Sequence, residues 1–180
     1  WVRPSPTRSK SCEPQLSRPK VIPKTNAARI LDDLGVTYSM VACQVSEDDL
    51  SAETAAKELN LPLEMVYKTI LLKGEPKGHL EACLPAGTEL DLKALAKASA
   101  NRSISLVPLK DLFPLTGYQR GGCSPLGSRR SYPVFVHQDV TNLEKLAINA
   151  GARGQMLLLT PEDFIKATKA TLANIARPKA

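Results

Sequence analysis

The chain has little from which a conventional catalytic centre could be built. Its 180 residues contain two histidines, His79 and His137, and no G-x-S-x-G, no H-E-x-x-H and no paired-carboxylate signature. An enzyme with this sequence must therefore work without a conventional triad, although a Cys–His pair formed in space stays open. The four cysteines (Cys12, Cys43, Cys83, Cys123) are widely spaced, with no C-x-x-C and no histidine at ligand spacing. Zinc and disulfide frameworks need clustered or paired spacing, so we expect no metal and reduced thiols in a cytoplasmic setting. No motif asks for a cofactor, and none is expected. No apolar run is long enough to span a bilayer and no secretory signal is present, so no membrane association is expected.

Acidic residues are missing where basic ones collect. Between Leu112 and Gln138 the chain carries three arginines and one histidine but no Asp or Glu, whereas Asp32 to Glu64 holds eight acids against Lys57 alone. The formal net charge of +6 is accounted for by residues 1–29, where seven Lys/Arg face only Glu13. The rest of the chain is neutral overall, yet its charge is segregated. Such a cationic face draws a phosphate-bearing partner; scattered arginines on a solvated loop would look the same.

Residues 1–24 are rich in Pro, Ser, Thr, Lys and Arg and nearly empty of apolar pattern. They read as a disordered basic arm, because they cannot bury enough surface to offset the entropy of ordering. The arm opens on Trp1 rather than Met, as in a fragment, a processed form or an over-extended start. It is Arg- and Ser-rich like an organelle transit peptide, but its five prolines argue against the amphipathic helix such peptides need.

From residue 25 the pattern becomes that of a folded domain, 25–180. The segment TNAARILDDLGV predicts a helix capped by Thr25 or Asn26 and stopped at Gly35. Further helices are predicted after Ser51, after Asp91 and after Thr160 with Pro161 in first position, with a helical turn at LKDLF. About seven strands are predicted: TYSMVACQV, VYKTILLK and HLEACLP joined by the turn GEPKG, SISLVP, YPVFVH, KLAIN and QMLLL. Their irregular interleaving with short helices predicts an α+β fold, a mixed, barrel-like sheet flanked by helices, and not a regular βαβ winding.

Two stretches carry chemistry. GYQRGGCSPLGSRR places glycines at 117, 121, 122 and 127 among arginines. Gly122 to Arg129 fits G-x-x-x-x-G but then lacks the Lys-Ser/Thr of a P-loop and runs into Pro133 and a strand, not a helix. What such a loop can do is bring backbone N–H groups together around an anion or an oxyanion; an ordinary hairpin needs the same residues. In VYKTILLK, alternation sets Lys68 on one face with Val66, Ile70 and Leu72. It is either an edge gatekeeper or a cation aimed into a pocket at a phosphate or carbonyl oxygen.

Taken together, VYKTILLKG, LPAGTELDLKALAKA, PLTGYQRGGCSPLGSRRSYPVFVHQDV, NAGARGQMLLLTPEDF and ANIAR resemble, in order and spacing, the YbaK/EbsC aminoacyl-tRNA deacylases, relatives of the editing domain inserted in bacterial prolyl-tRNA synthetase. The resemblance spans roughly residues 25 to 177, and the G-G-x-S-P-L-G form is similar to the Cys-tRNA(Pro) deacylase branch. It implies hydrolysis of a mischarged amino acid from the tRNA 3′ end, with prolyl-tRNA synthetase as a candidate partner. The family lysine falls on Lys68, which would anchor the terminal adenosine or its phosphate with Thr69 beside it. The family's G-x-x-x-P loop falls on Gly121–Pro125, within the run Gly117, Tyr118, Gly121, Gly122, Ser124 and Pro125. Its S-x-G-x-R-G turn falls on Asn149 to Gly154, with Arg153 and Gly154 matching and Asn149 replacing a common serine.

Departures lie at Cys123, where the family usually has an apolar residue, and at Cys43, Ser51 and Met156, which bear on the accepted amino acid. The resemblance implies cysteine as the one cleared, the substrate's own thiol attacking its carbonyl so that the tRNA is expelled and the cysteine leaves as a cyclic thiolactone. The alternatives are an alanine-clearing enzyme and a non-catalytic tRNA-end or synthetase-binding module of the same fold.

Overall fold

A computed structural model describes residues 24–44 and 46–179. The basic arm, 1–24, lies outside the described residues except for Lys24. Five α-helices and ten strands are found among the described residues: α1 (Asn26–Asp33), β1 (Ser39–Ala42), α2 (Ala52–Glu58), β2 (Tyr67–Glu75), β3 (Gly78–Pro85), β4 (Thr88–Leu90), α3 (Leu92–Ala98), β5 (Ser103–Leu106), α4 (Leu109–Thr116), β6 (Val134–His137), β7 (Leu146–Asn149), β8 (Gln155–Leu159), α5 (Pro161–Thr168), β9 (Thr171–Ala173) and β10 (Ala176–Pro178). The helix starts follow from side-chain capping. Thr25, Ser51, Asp91 and Thr160 each accept a hydrogen bond from a backbone N–H three residues on, at 3.1–3.3 Å.

The strands form three sheets, ordered β5-β2-β3-β6-β9, β1-β8-β7 and β10-β4. The β2–β3 hairpin is antiparallel, with Lys68 opposite Leu84 and Thr69 opposite Cys83, while β6 joins β3 and β9 in parallel. A single parallel bridge, Val66 to Ala147, couples the first two sheets. The mixed α+β class is as expected, but the sheets do not close into a barrel. All seven expected strands are present; β4, β9 and β10 were missed, each three residues long and placed by its partner and not by its own alternation. The expected turn at LKDLF is the eight-residue α4, which runs through Pro114. Thr116 Oγ1 donates to the Leu112 carbonyl at 2.7 Å, and Gly117, at φ 80°, closes the helix with its N–H on Phe113 O.

The core explains where the site lies. On one face of β2, Leu72 and Ile70 pack with Leu80, Leu95, Phe135 and Ile175. On the other, Tyr67 packs with Cys83, Leu31, Val136, Ile148 and Phe164. β5 pairs with β2 only from Leu72 to Glu75, so Tyr67–Leu71 has β3 on one side and no ladder partner on the other. That open stretch borders a cavity.

Candidate active site

The cavity holds about 300 Å³ and is lined by Tyr67, Lys68, Thr69 and Ile70 on one wall. Four consecutive strand residues meet it, so it lies against the strand edge and not over a sheet face. Gly121 and Cys123 of the glycine loop, Asn149 and Gly154 of the following turn, and Leu50, Ser51 and Glu53 at the start of α2 complete it, with Cys43 and Met156. Five of the residues expected from sequence, Lys68, Thr69, Gly121, Asn149 and Gly154, are thus brought together. So are the departures Cys43, Ser51, Cys123 and Met156.

Lys68 is half-buried, and its Nζ donates to the Thr88 carbonyl at 2.7 Å. An ammonium has three donors, so this bond anchors the side chain and leaves two protons for a ligand. Burial lowers its pKa and Lys179 pushes the same way, against Glu53 and Glu89. Among the described residues Glu53 is the one carboxylate lining the cavity. It accepts hydrogen bonds from the Lys179 ammonium and from Gly87 N–H, and the lysine holds its carboxyl down at about 2. Sequence reading missed Glu53, which stands in an acidic run and looks like a solvated helix position; Lys179, 126 residues away, gives it its partner.

In the glycine loop, the N–H of Gly122 is occupied by Gln119 O at 2.9 Å and that of Leu126 by Ser124 Oγ at 3.3 Å. The N–H groups of Gly121 and Cys123 have no acceptor among the described residues. Gly121 has φ +79°, and a Cβ there would come within 2.9 Å of Leu50 Cβ. Its carbonyl accepts from Asn149 Nδ2 at 2.8 Å, while Asn149 Oδ1 accepts from Gly151 N–H at 2.7 Å. Arg153 Nε donates to Arg120 O at 2.9 Å. Asn149 and Arg153 therefore lash the glycine loop to the turn after β7.

The other expected residues do not line the cavity. Tyr118 is buried, and its hydroxyl donates to Leu126 O. Its ring is clamped where a Cβ on Gly127 or Gly151 would come within 2.6 or 2.8 Å of it. Gly117 caps α4, Ser124 and Pro125 are buried, and Gly122 sits against the Ala152–Arg153 backbone. These residues shape the loop from behind.

Among the described residues no Cys–His pair is assembled. His137 Nδ1 accepts from Ile175 and Ala176 N–H, and His79 stacks edge-on against Tyr132; neither lines the cavity. Burial, with Glu81 nearby, pushes the Cys123 thiol up to about 12, and burial raises Cys43 and Cys83 too. These are thiols at neutral pH and poor nucleophiles. Among the described residues no group of three or more His, Cys, Asp or Glu is placed to hold a metal ion, and no helix is long and apolar enough to cross a membrane.

Glu81 lies behind the loop, 1% exposed, with Oε1 accepting from Ser128 Oγ at 3.0 Å. Burial pushes its carboxyl up to about 7. The native protein thus keeps a proton that the unfolded chain begins to release near pH 4.5. The associated stability is full below that pH and is lost as pH rises through about 7, on the order of 3 kcal/mol in all. We expect Glu81→Gln, which still accepts from Ser128, to gain up to that amount at pH 8 and little at pH 4.5. Urea denaturation at the two pH values checks this, and parallel pH profiles for the two proteins would contradict it.

The fold is that of a known class. The aminoacyl-tRNA editing domain family matches residues 47–167. A protein of Enterococcus faecalis (strain ATCC 700802 / V583), named "Putative Cys-tRNA(Pro)/Cys-tRNA(Cys) deacylase EbsC", is 37% identical over 160 residues, covering 89% of this chain and 98% of that protein. Two crystal structures share the fold. That of "hypothetical protein APE2540" has a TM-score of 0.77 at 18% identity, covering 85% of this chain and 100% of the other. That of "a putative trans-editing enzyme for prolyl tRNA synthetase" has a TM-score of 0.74 at 20% identity, covering 85% and 98%. The chain belongs to the aminoacyl-tRNA editing domain family.

Proposed function

We propose that this protein is a trans-editing aminoacyl-tRNA deacylase that clears a mischarged small amino acid, cysteine on tRNA(Pro) foremost. The carrying observation is the cavity: a partly committed lysine on one wall, and on the other a glycine loop whose Gly121 and Cys123 N–H groups have no acceptor among the described residues, with no activated nucleophile among the described lining residues. An aminoacyl ester is already activated, so a catalyst needs chiefly to position it and to stabilise the oxyanion. Lys68 and Thr69 would hold the terminal nucleotide, and Gly121 with Cys123 would donate to the ester oxygen. A volume of about 300 Å³ is at the small end for ligand sites and suits a small acyl group.

For a cysteinyl ester the nucleophile is then the substrate's own sulfur. The S–C bond forms as the C–O bond to the ribose breaks, the thiol proton ends on the ribose oxygen, and cysteine leaves as a cyclic thiolactone. Met156, Cys43 and Cys123 give that thiol an apolar surround. The name of the Enterococcus relative, which pairs Cys-tRNA(Pro) with Cys-tRNA(Cys), supports cysteine as the amino acid and leaves tRNA choice to a partner such as prolyl-tRNA synthetase, in the cytoplasm.

The test is deacylation of Cys-tRNA(Pro), Cys-tRNA(Cys) and Ala-tRNA(Pro) by the wild-type chain. We expect both cysteinyl esters to be cleared and the alanyl ester, which has no thiol, to be spared. Equal clearance of alanine would sink the thiol-assisted route, and no clearance by folded protein would leave a binding module.

A further inference from the structure

A second concavity of about 480 Å³ adjoins the cavity and is lined by Glu47, Leu50, Leu109, Phe113, Arg120 and Arg153, among others. Leu50 lines both spaces, and Arg120 and Arg153 directly precede Gly121 and Gly154 of the cavity wall. The two spaces are therefore neighbours across Leu50 at the glycine loop. A chain that leaves the cavity past Leu50 would reach the groove.

The groove combines exposed apolar and cationic side chains. Phe113 and Leu109 are exposed at 49% and 58%. The Arg129 guanidinium sits 4.8 Å from the Phe113 ring centroid, covering one part of an aromatic surface that stays half open. Arg120 and Arg129 are exposed, and no acid occurs between Leu112 and Gln138. The one carboxylate on the groove, Glu47, is 92% exposed and 3.8 Å from Arg153, a loose pair that a phosphate can displace. An aromatic platform bracketed by arginines is how unpaired nucleic acid is held without sequence readout, bases on the ring and phosphates on the cations.

We propose that this groove is a nucleotide subsite for the unpaired residues immediately preceding the terminal nucleotide, with a base stacked on Phe113 and the backbone drawn to Arg120 and Arg129. The proposal rests on the deacylase reading. It also explains why the glycine loop is cationic when none of its arginines lines the cavity. Charge favours a phosphate-bearing chain over a neutral peptide, with Arg129 on the ring and Arg120 and Arg153 lining the groove.

The test compares full aminoacyl-tRNA with aminoacyl-adenosine, an ester that ends in the cavity and does not reach the groove. Phe113→Ala should lower kcat/KM on aminoacyl-tRNA roughly ten- to a hundred-fold more than on aminoacyl-adenosine, and Phe113→Trp should restore it. Equal effects on both substrates, or none, would overturn the subsite. Should the wild type cleave neither ester, the deacylase reading fails, and the groove is then judged by titrating the protein with a CCA trinucleotide. Binding weakened by Phe113→Ala and regained with Phe113→Trp would keep it, and binding indifferent to both would overturn it.

Discussion

Lys68→Ala is expected to reduce kcat/KM for aminoacyl-tRNA by at least about a hundred-fold while leaving the fold intact, the size of effect seen when one charged donor to a developing or bound anion is removed. The structural contribution of Lys68 is one hydrogen bond to Thr88 O at a half-buried position. Its loss costs stability by roughly 1 kcal/mol. The two effects are separable because the ammonium is held by one of its three donors. Lys68→Arg should recover folding but only part of the activity, since a guanidinium fork cannot occupy the same point at the strand edge. Steady-state kinetics alongside a urea melt decide the matter. Unchanged turnover in a folded Lys68→Ala protein would return the lysine to the role of a strand-edge charge.

Gly121→Ala and Cys123→Ala should differ in the opposite order from that of a thiol enzyme. At Gly121 an alanine must hold φ near +79° and place its Cβ 2.9 Å from Leu50 Cβ, so the loop or the Leu50 wall has to move. A displaced oxyanion donor costs on the order of a hundred- to a thousand-fold in kcat. Cys123 contributes backbone to the site and a buried thiol held up at about 12. Its alanine variant should keep most of the activity and lose roughly 1 kcal/mol of stability from the removed sulfur. Single-turnover deacylation by both variants, with circular dichroism to confirm folding, distinguishes the chemistries. A folded but inactive Cys123→Ala protein, or inactivation of the wild type by a thiol alkylator, would overturn the backbone-donor account.

What could be read ahead of the structure was local. Thr25, Ser51, Asp91 and Thr160 cap helices with their own side chains, and Gly35, at φ 68°, ends α1; each of these is settled within a few residues. The β2–β3 hairpin and the two faces of β2 were legible for the same reason. β9 and β10 were not, because β9 exists only where β6 offers an edge and β10 only where β4 does. That the loop borders the cavity fits its glycine pattern, but which of its residues face the cavity was not legible. Tyr118 reads as a ligand contact in sequence; in the structure it is away from the lining of the cavity, its ring and hydroxyl packed between Gly127 and Gly151. Asn149 reads as a replaced serine, and its amide turns out to tie the glycine loop down from both ends of one side chain. Glu81 gave no signal at all, since only the crossing of Ser128 over β3 makes a mid-strand glutamate tolerable.

The central claim is that an aminoacyl-adenosine sits between the β2 edge and the glycine loop. It is tested most directly by backbone amide chemical shifts of the labelled protein on titration with a non-hydrolysable cysteinyl-adenosine amide. The account predicts the largest shifts at Lys68, Thr69, Gly121, Cys123 and Gly154, with the N–H signals of Gly121 and Cys123 moving as they gain an acceptor. Saturable binding that leaves those amides in place and moves others would contradict it.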